Sequence, residues 1–315
     1  MGPLEALLAD PEVTGIFIPK PQVVSVEQGG KTERVAGLSL EQAEVLAAIR
    51  DLAARAGRRV DFSSPLIEVR LPDGTRMNAA VTPVTFQGPV LSIRKPRCDA
   101  VRREDLVRDL VLPEEMLGML EACVRARLNI LVSGALGTGR TTLLEVLAGA
   151  IPEEQSILTV EQEAQLRLRQ PRVMRLETRP PDALGRGEVS MRQLVSHGLL
   201  LRPDRVVVDE LQGGEALDLL WAMRAGLDGC LLGIHASGQR DAIGRLETLA
   251  SLGDAWTNPR AIRQLEAQTI QVLVRIARFR DGGRRVTNVT ECVGLKREEI
   301  ILHDLFVFQQ TGVGL

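Results

Sequence analysis

The stretch LNILVSGALGTGRTTLLEVLAGAI, residues 128–151, constrains the fold more than any other part of the chain. A short apolar run ends in Gly134, and TTLLEVLAGAI opens with helical character. Between them lies G-A-L-G-T-G-R-T, which fits the pattern G-x-x-x-x-G-K-[ST] at every fixed position except the lysine, which is Arg140. Glycines at such a turn let backbone N–H groups wrap closely around an anion. A helix start directly behind them adds free N–H groups and the positive end of the helix dipole. Gly134, Gly137, Thr138, Gly139, Arg140, Thr141 and Thr142 are therefore candidate contacts for a nucleotide phosphate, with the Thr141 hydroxyl placed for Mg²⁺. A glycine-rich strand-to-helix turn that holds no ligand carries the same signature, so the rest of the chain must decide.

Three further apolar runs end in polar residues. About 70 residues beyond the glycines, RVVVDELQGG places Asp209 and Glu210 at the end of a buried strand, a position open to Mg²⁺ and to an attacking water. This strand is read as the next sheet strand but one after the loop. SILTVEQE ends in Glu161 and Glu163, and CLLGIHAS ends in His235. A strand ending in acids, or a single histidine, is common by itself. Successive strand ends offering polar groups to one sheet edge make an ATP site, with Glu210, Glu161 and His235 as catalytic candidates and Asp209 with Thr141 as the Mg²⁺ pair.

Before this region the chain reads as a small α/β unit. EVTGIFIPKPQVVSVEQGGK has the alternation of a hairpin; SLEQAEVLAAIRDLAARAG has helical spacing, with Ser39 a cap and Gly57 a stop. Pro72-Asp73-Gly74 joins two more strands, and PVLSIRKP supplies another. The expected organisation is an N-terminal α/β domain over 1–95, a charged linker over 96–112 flanked by prolines, and a RecA-like P-loop domain over 113–315, where helices and strands alternate.

Net charge is −2 and aromatic residues make up 3% of the chain, which argues against a nucleic-acid partner. Cys98, Cys123, Cys230 and Cys292 form no C-x-x-C pair, so a zinc site is not expected. No run approaches the ~18 apolar residues of a membrane span, and MGPLEALLADPEV has no signal-peptide pattern, so a cytoplasmic protein is expected.

The ordered series GALGTGRT, TVEQ, LETRPP, RPDRVVVDELQGGEALD, GIHAS and RDAIGRLE resembles the CpaF/TadA-type secretion ATPases of tight-adherence pili, within the type II/type IV secretion ATPase superfamily. GPLEALLADPEVTGIFI, SSPLIEVRLPDGTRMNA, LSIRK and DLFVFQQTGV extend the resemblance over essentially the whole chain. It implies a cytoplasmic hexameric ring, peripheral to the inner membrane, that uses ATP and Mg²⁺ and docks on an inner-membrane pilus platform protein. It also implies that Arg70, Arg76 and Arg94 face the phosphates from the first domain, and that Glu161, Glu210 and His235 fall on the acidic-box, Walker-B and His-box positions.

The departures from that pattern matter as much. Arg140 stands for the lysine, Gln162 for the second acid of the acidic box, and Gln212 for the arginine after the Walker-B glutamate; Ser196 and Leu200 replace expected basic residues. Losing one such charge-stabilising donor costs about 2.7–4 kcal/mol, or roughly 10²–10³ in rate. A nucleotide-binding subunit with weakened hydrolysis is the expected reading. The alternatives are a catalytically dead ring partner of an active paralogue, and an active motor compensated by arginines such as Arg186, Arg192, Arg202 and Arg205 or by a neighbouring subunit.

Overall fold

A computed structural model describes residues 3–28, 31–95, 101–181, 185–254, 256–279 and 281–310. The chain divides into two compact units, Met1–Cys98 and Asp99–Leu315.

The first unit contains α1 (Pro3–Ala9), β1 (Val13–Lys20), β2 (Val23–Gln28), β3 (Lys31–Arg34), α2 (Gln42–Arg55), β4 (Leu66–Arg70), β5 (Arg76–Ala80) and β6 (Val90–Arg94). Its strands form one antiparallel sheet in the order β3-β2-β1-β6-β5-β4. Alternation along the strands sends Ile16, Ile18, Val24, Met77, Leu91 and Ile93 inward to meet Val45, Ile49 and Leu52 of α2. Gly57 follows the helix in the left-handed region and ends it, as expected. Its start differs from the expected Ser39 cap. Glu41 is the N-cap, and the Glu44 carboxylate accepts the Glu41 backbone N–H at 2.8 Å.

The second unit runs through α3 (Arg103–Arg108), α4 (Glu114–Arg125), β7 (Ile130–Ser133), α5 (Arg140–Ala148), β8 (Ile157–Glu161), β9 (Val173–Glu177), α6 (Met191–Leu200), β10 (Arg205–Val208), α7 (Glu215–Arg224) and β11 (Leu231–Ile234). It then continues through α8 (Gln239–Ser251), α9 (Pro259–Thr269), β12 (Val272–Arg278), β13 (Arg284–Lys296) and β14 (Glu299–Val307). These strands form a sheet in the order β14-β13-β12-β7-β11-β10-β8-β9, parallel from β12 through β9 and antiparallel at the β12-β13-β14 end.

The central strands are buried on both faces, which explains their unbroken apolar runs. Leu131, Leu158, Val206, Val208 and Leu232 join the side of α6 to α9; Ile130, Val132, Ile157, Val207 and Leu231 join the side of α4 and α5. This is a sheet covered by helices on both faces.

The expected linker over 96–112 is corrected in its second half; residues 96–100 lie outside the described residues. Residues 103–108 form α3, and Leu106, Val111 and Leu112 are buried in the core beside α4 and α5. High local charge masked a short amphipathic helix. Among the described residues, no helix is long and apolar enough to cross a membrane.

Candidate functional site

Six parallel strands lie side by side as β12-β7-β11-β10-β8-β9, so their C-terminal ends open on one edge. That edge gathers the glycine loop after β7, His235 after β11, Asp209-Glu210 after β10 and Glu161 at the end of β8. The Asp209 strand is the third after the loop in chain order rather than the second, because β9 intervenes. In space it is separated from β7 by β11 alone.

The loop turns into α5 through Gly139, the N-cap residue, at φ 96°, a left-handed conformation that favours glycine. A Cβ on Gly134 would lie 2.6 Å from Thr138 Oγ1 and 2.8 Å from the Ile276 carbonyl oxygen, so the floor of the cradle admits no side chain. Thr138 is buried and donates its hydroxyl to the Ala135 carbonyl at 2.7 Å, bracing the loop against itself. These features fit a phosphate group. Thr141 Oγ1 donates to Asp209 Oδ1 at 2.7 Å, which places two hard oxygen donors together and fits Mg²⁺. Burial pushes the Asp209 carboxyl above its ordinary range, opposed by the Thr141 hydrogen bond and by the charge of Arg140.

Arg140 occupies the expected lysine position at the start of α5, only 8% exposed. Its Nη1 donates to the Gly134 carbonyl at 3.3 Å, and its Nη2 forms an ion pair with Glu210 Oε2. Its Nε is buried with no hydrogen-bond partner among the described residues.

Glu161 is fully buried. Its Oε2 accepts the backbone N–H groups of Gln165 and Leu166 at 2.6 and 2.8 Å, while Oε1 is buried with no hydrogen-bond partner among the described residues. Desolvation pushes its pKa up to about 7, against the two backbone bonds, with Asp209 adding to the rise. A carboxyl poised near neutrality at the edge of the site is the type of group that can exchange a proton there. The next strand brings Glu177 into register beside it. His235 is half-buried at the end of β11.

The two glutamines at expected charged positions meet each other. Gln212 Nε2 donates to Gln162 Oε1 at 2.5 Å, joining the loop after β10 to the loop after β8. A neutral pair holds this contact. Of the arginines considered as compensators, Arg205 is unavailable: it is fully buried, bonded to Gln155 Oε1 at 2.6 Å and to the Val124 and Gly229 carbonyls at 3.0 and 3.3 Å. Arg192 is engaged with both carboxylate oxygens of Asp218 at 2.8 and 3.0 Å.

Arg70, Arg76 and Arg94 come together within the first unit. Arg70 is opposite Arg76, and Arg76 opposite Arg94, so one row of the β4-β5-β6 face carries three arginines. Like charges directly opposite each other are destabilising, and such a row favours an anion.

Arg284 was not among the sequence candidates. Its Cδ is 3.3 Å from the position a Gly139 Cβ would take, so it stands against the glycine loop from β13. The signal in the sequence was FRDGGRRV, two strands joined by a Gly-Gly turn that returns basic residues to the sheet.

A glycine cradle between strand and helix, a threonine–aspartate pair and a parallel sheet with this strand order define a P-loop protein of the RecA-like class. The chain belongs to the type II/IV secretion system protein family, whose model matches residues 1–292. A putative conjugal transfer protein of Mycobacterium tuberculosis is 33% identical over 294 residues, covering 91% of this chain and 83% of that protein. The type IV secretion system protein VirB11 of Bartonella henselae is 25% identical over 325 residues, covering 91% and 90%. In fold, the chain is similar to the ATPase DotB of Legionella pneumophila, with a TM-score of 0.62 at 17% identity, covering 90% of this chain and 77% of that one.

Proposed function

We propose that this protein is the nucleotide-binding subunit of a secretion or pilus machine, of the CpaF/TadA type, with hydrolysis weakened by Arg140, Gln162 and Gln212. The observation that carries the reading is the division within one site. The Thr141–Asp209 pair is intact, whereas the cation expected to serve the terminal phosphates is held by Glu210. Gly134, Gly137, Thr138, Gly139, Arg140, Thr141 and Thr142 would hold ATP, and Thr141 with Asp209 would hold Mg²⁺, which screens phosphate charge when bound. Glu210, Glu161 and His235 are the proposed catalytic groups. Arg70, Arg76 and Arg94, which share one row of the first unit's sheet, are proposed as further anion-binding groups.

The same reading gives a homo-hexamer, or a mixed ring with a paralogous ATPase. The ring is cytoplasmic, peripheral to the inner membrane and docked on a platform protein. Residues 177–193, largely exposed in the described part, suit a subunit boundary. Calorimetric titration with Mg-ATP, with turnover measured on the same sample, tests the function. Binding with turnover at least 100-fold below that of Arg140→Lys is expected. Robust Mg²⁺-dependent turnover by the unchanged chain, abolished in Glu210→Gln, would refute the weakened site.

A second reading, a catalytically dead partner of an active paralogue, is favoured by the neutral Gln162–Gln212 pair. Co-purification of a lysine-containing ATPase from the native cell would support it, and a homomeric active ring would exclude it.

A further inference from the structure

The ion pair at the heart of the site deepens the functional reading and rests on it. Arginine differs from lysine here in reach and in the number of directions in which it donates. Its guanidinium serves two acceptors at once: the Gly134 carbonyl, which belongs to the cradle, and the Glu210 carboxylate, which belongs to the strand β10 end. The side chain is 8% exposed, so this pairing takes place largely out of water, where charge attraction is poorly screened. Glu210 is 31% exposed on its side chain, leaving it room to leave while Arg140 stays. One donor, Nε, has no hydrogen-bond partner among the described residues despite its burial, so the guanidinium is not fully served by the arrangement it is in.

We propose that Arg140 and Glu210 form a latch: the guanidinium holds the catalytic carboxylate across the glycine loop and must release it before the loop can take a nucleotide diphosphate. In the latch, the carboxylate and the β-phosphate are alternative partners of the Arg140 Nη2 donor. Glu210 thus competes with the nucleotide for the Arg140 guanidinium, and the affinity of the chain is set by that competition. Once Arg140 transfers to phosphate, Glu210 is free to face a water molecule. Entry of nucleotide and release of the catalytic carboxylate become one event, with both groups supplied by this chain.

The test is calorimetric titration with Mg-ADP, which leaves hydrolysis out of the measurement. The unchanged chain is compared with Glu210→Gln and Glu210→Asp, each checked by its melting curve. Gln removes the charge; Asp keeps the charge and shortens the arm. The latch predicts tighter binding in both variants, by about tenfold, equivalent to about 1.4 kcal/mol. Tightening in Gln alone would mean that relief of repulsion between carboxylate and phosphate is the whole effect, and would overturn the latch. Equal affinity in all three would overturn it while leaving the nucleotide-binding reading in place. No binding by any of them would remove that reading and the latch with it. Should a variant fail to fold, an experimental structure of the unchanged chain with Mg-ADP decides: the Arg140–Glu210 contact is expected to be broken, and its persistence beside bound ADP overturns the proposal.

Discussion

Single side chains in this protein carry large and opposite charge problems, and each has a measurable consequence. Glu161 has its pKa raised to about 7 from an ordinary 4.5, chiefly by desolvation. The folded state therefore holds the proton more tightly than the unfolded chain, so this contribution to stability is present below pH 4.5 and lost as pH rises to about 7. Glu161→Gln is expected to flatten the dependence of melting temperature on pH across that window, by up to about 3 kcal/mol in stability. Arg205 presents the reverse case, a fully buried cation whose pKa is lowered to about 10 by desolvation and which is satisfied by two carbonyls and a glutamine. A Cβ on Gly229 would lie 1.6 Å from Arg205 Nη1, and Gly229 has φ 80°. Gly229→Ala is expected to cost at least about 1–3 kcal/mol from overpacking, read as a lower denaturation midpoint. The sequence shows the glycine loop, Asp209, Glu210 and Glu161 because each follows a run of buried apolar residues. It does not show that Arg205, written in the same RPDR stretch as a candidate phosphate cation, spends its charge on the core. Pairing is decided by which carbonyls lie within reach after folding.

At the scale of elements, α9 contains a helix-borne acid with no role in the site. Glu266 is fully buried, both its carboxylate oxygens lack partners among the described residues, and desolvation raises its pKa to about 9, with Glu247 adding to the rise. Arg263, whose charge counters that rise, is bonded to both oxygens of Glu247 at 2.9 Å. Replacing Glu266 with Met is expected to stabilise the fold by about 1–3 kcal/mol, since an unsatisfied buried polar group is removed. Stability now lost between pH 4.5 and about 9 should be retained in the variant, as a series of denaturant titrations would show. Elements with a clear period were legible: the α2 stripe, the turn at residues 72–74 and the apolar strands β7, β8, β10 and β11 stand where the sequence puts them. Those whose charge hides the pattern were not. Helix α3 gains its place from buried Leu106, with half-buried Val107 packed beside it, and from Val111 and Leu112 just beyond it. Strand β9, edge-paired and only half-buried, has neither an apolar run nor clean alternation.

At the scale of the molecule, the two units have separate hydrophobic cores. The cluster from Leu4 to Ile93 includes no residue of the second unit. Differential scanning calorimetry is accordingly expected to resolve two transitions, and Mg-ADP to raise the one belonging to the P-loop unit by mass action. A single transition unaffected by nucleotide would contradict both the independence of the cores and the proposed ligand. Strand order also sets a timetable for synthesis. Strand β7, which leads into the glycine loop, pairs with β11 through Leu131–Leu232 and with β12 through Leu131–Leu273. Both neighbours are translated roughly 100 to 140 residues after it, a wait on the order of ten seconds at ordinary elongation rates. During that time one of the most apolar strands of the chain has left the ribosome with neither edge covered. Strand β7 cannot be paired on both edges until β12 has been made, so the phosphate cradle is among the last features of the protein to come into being.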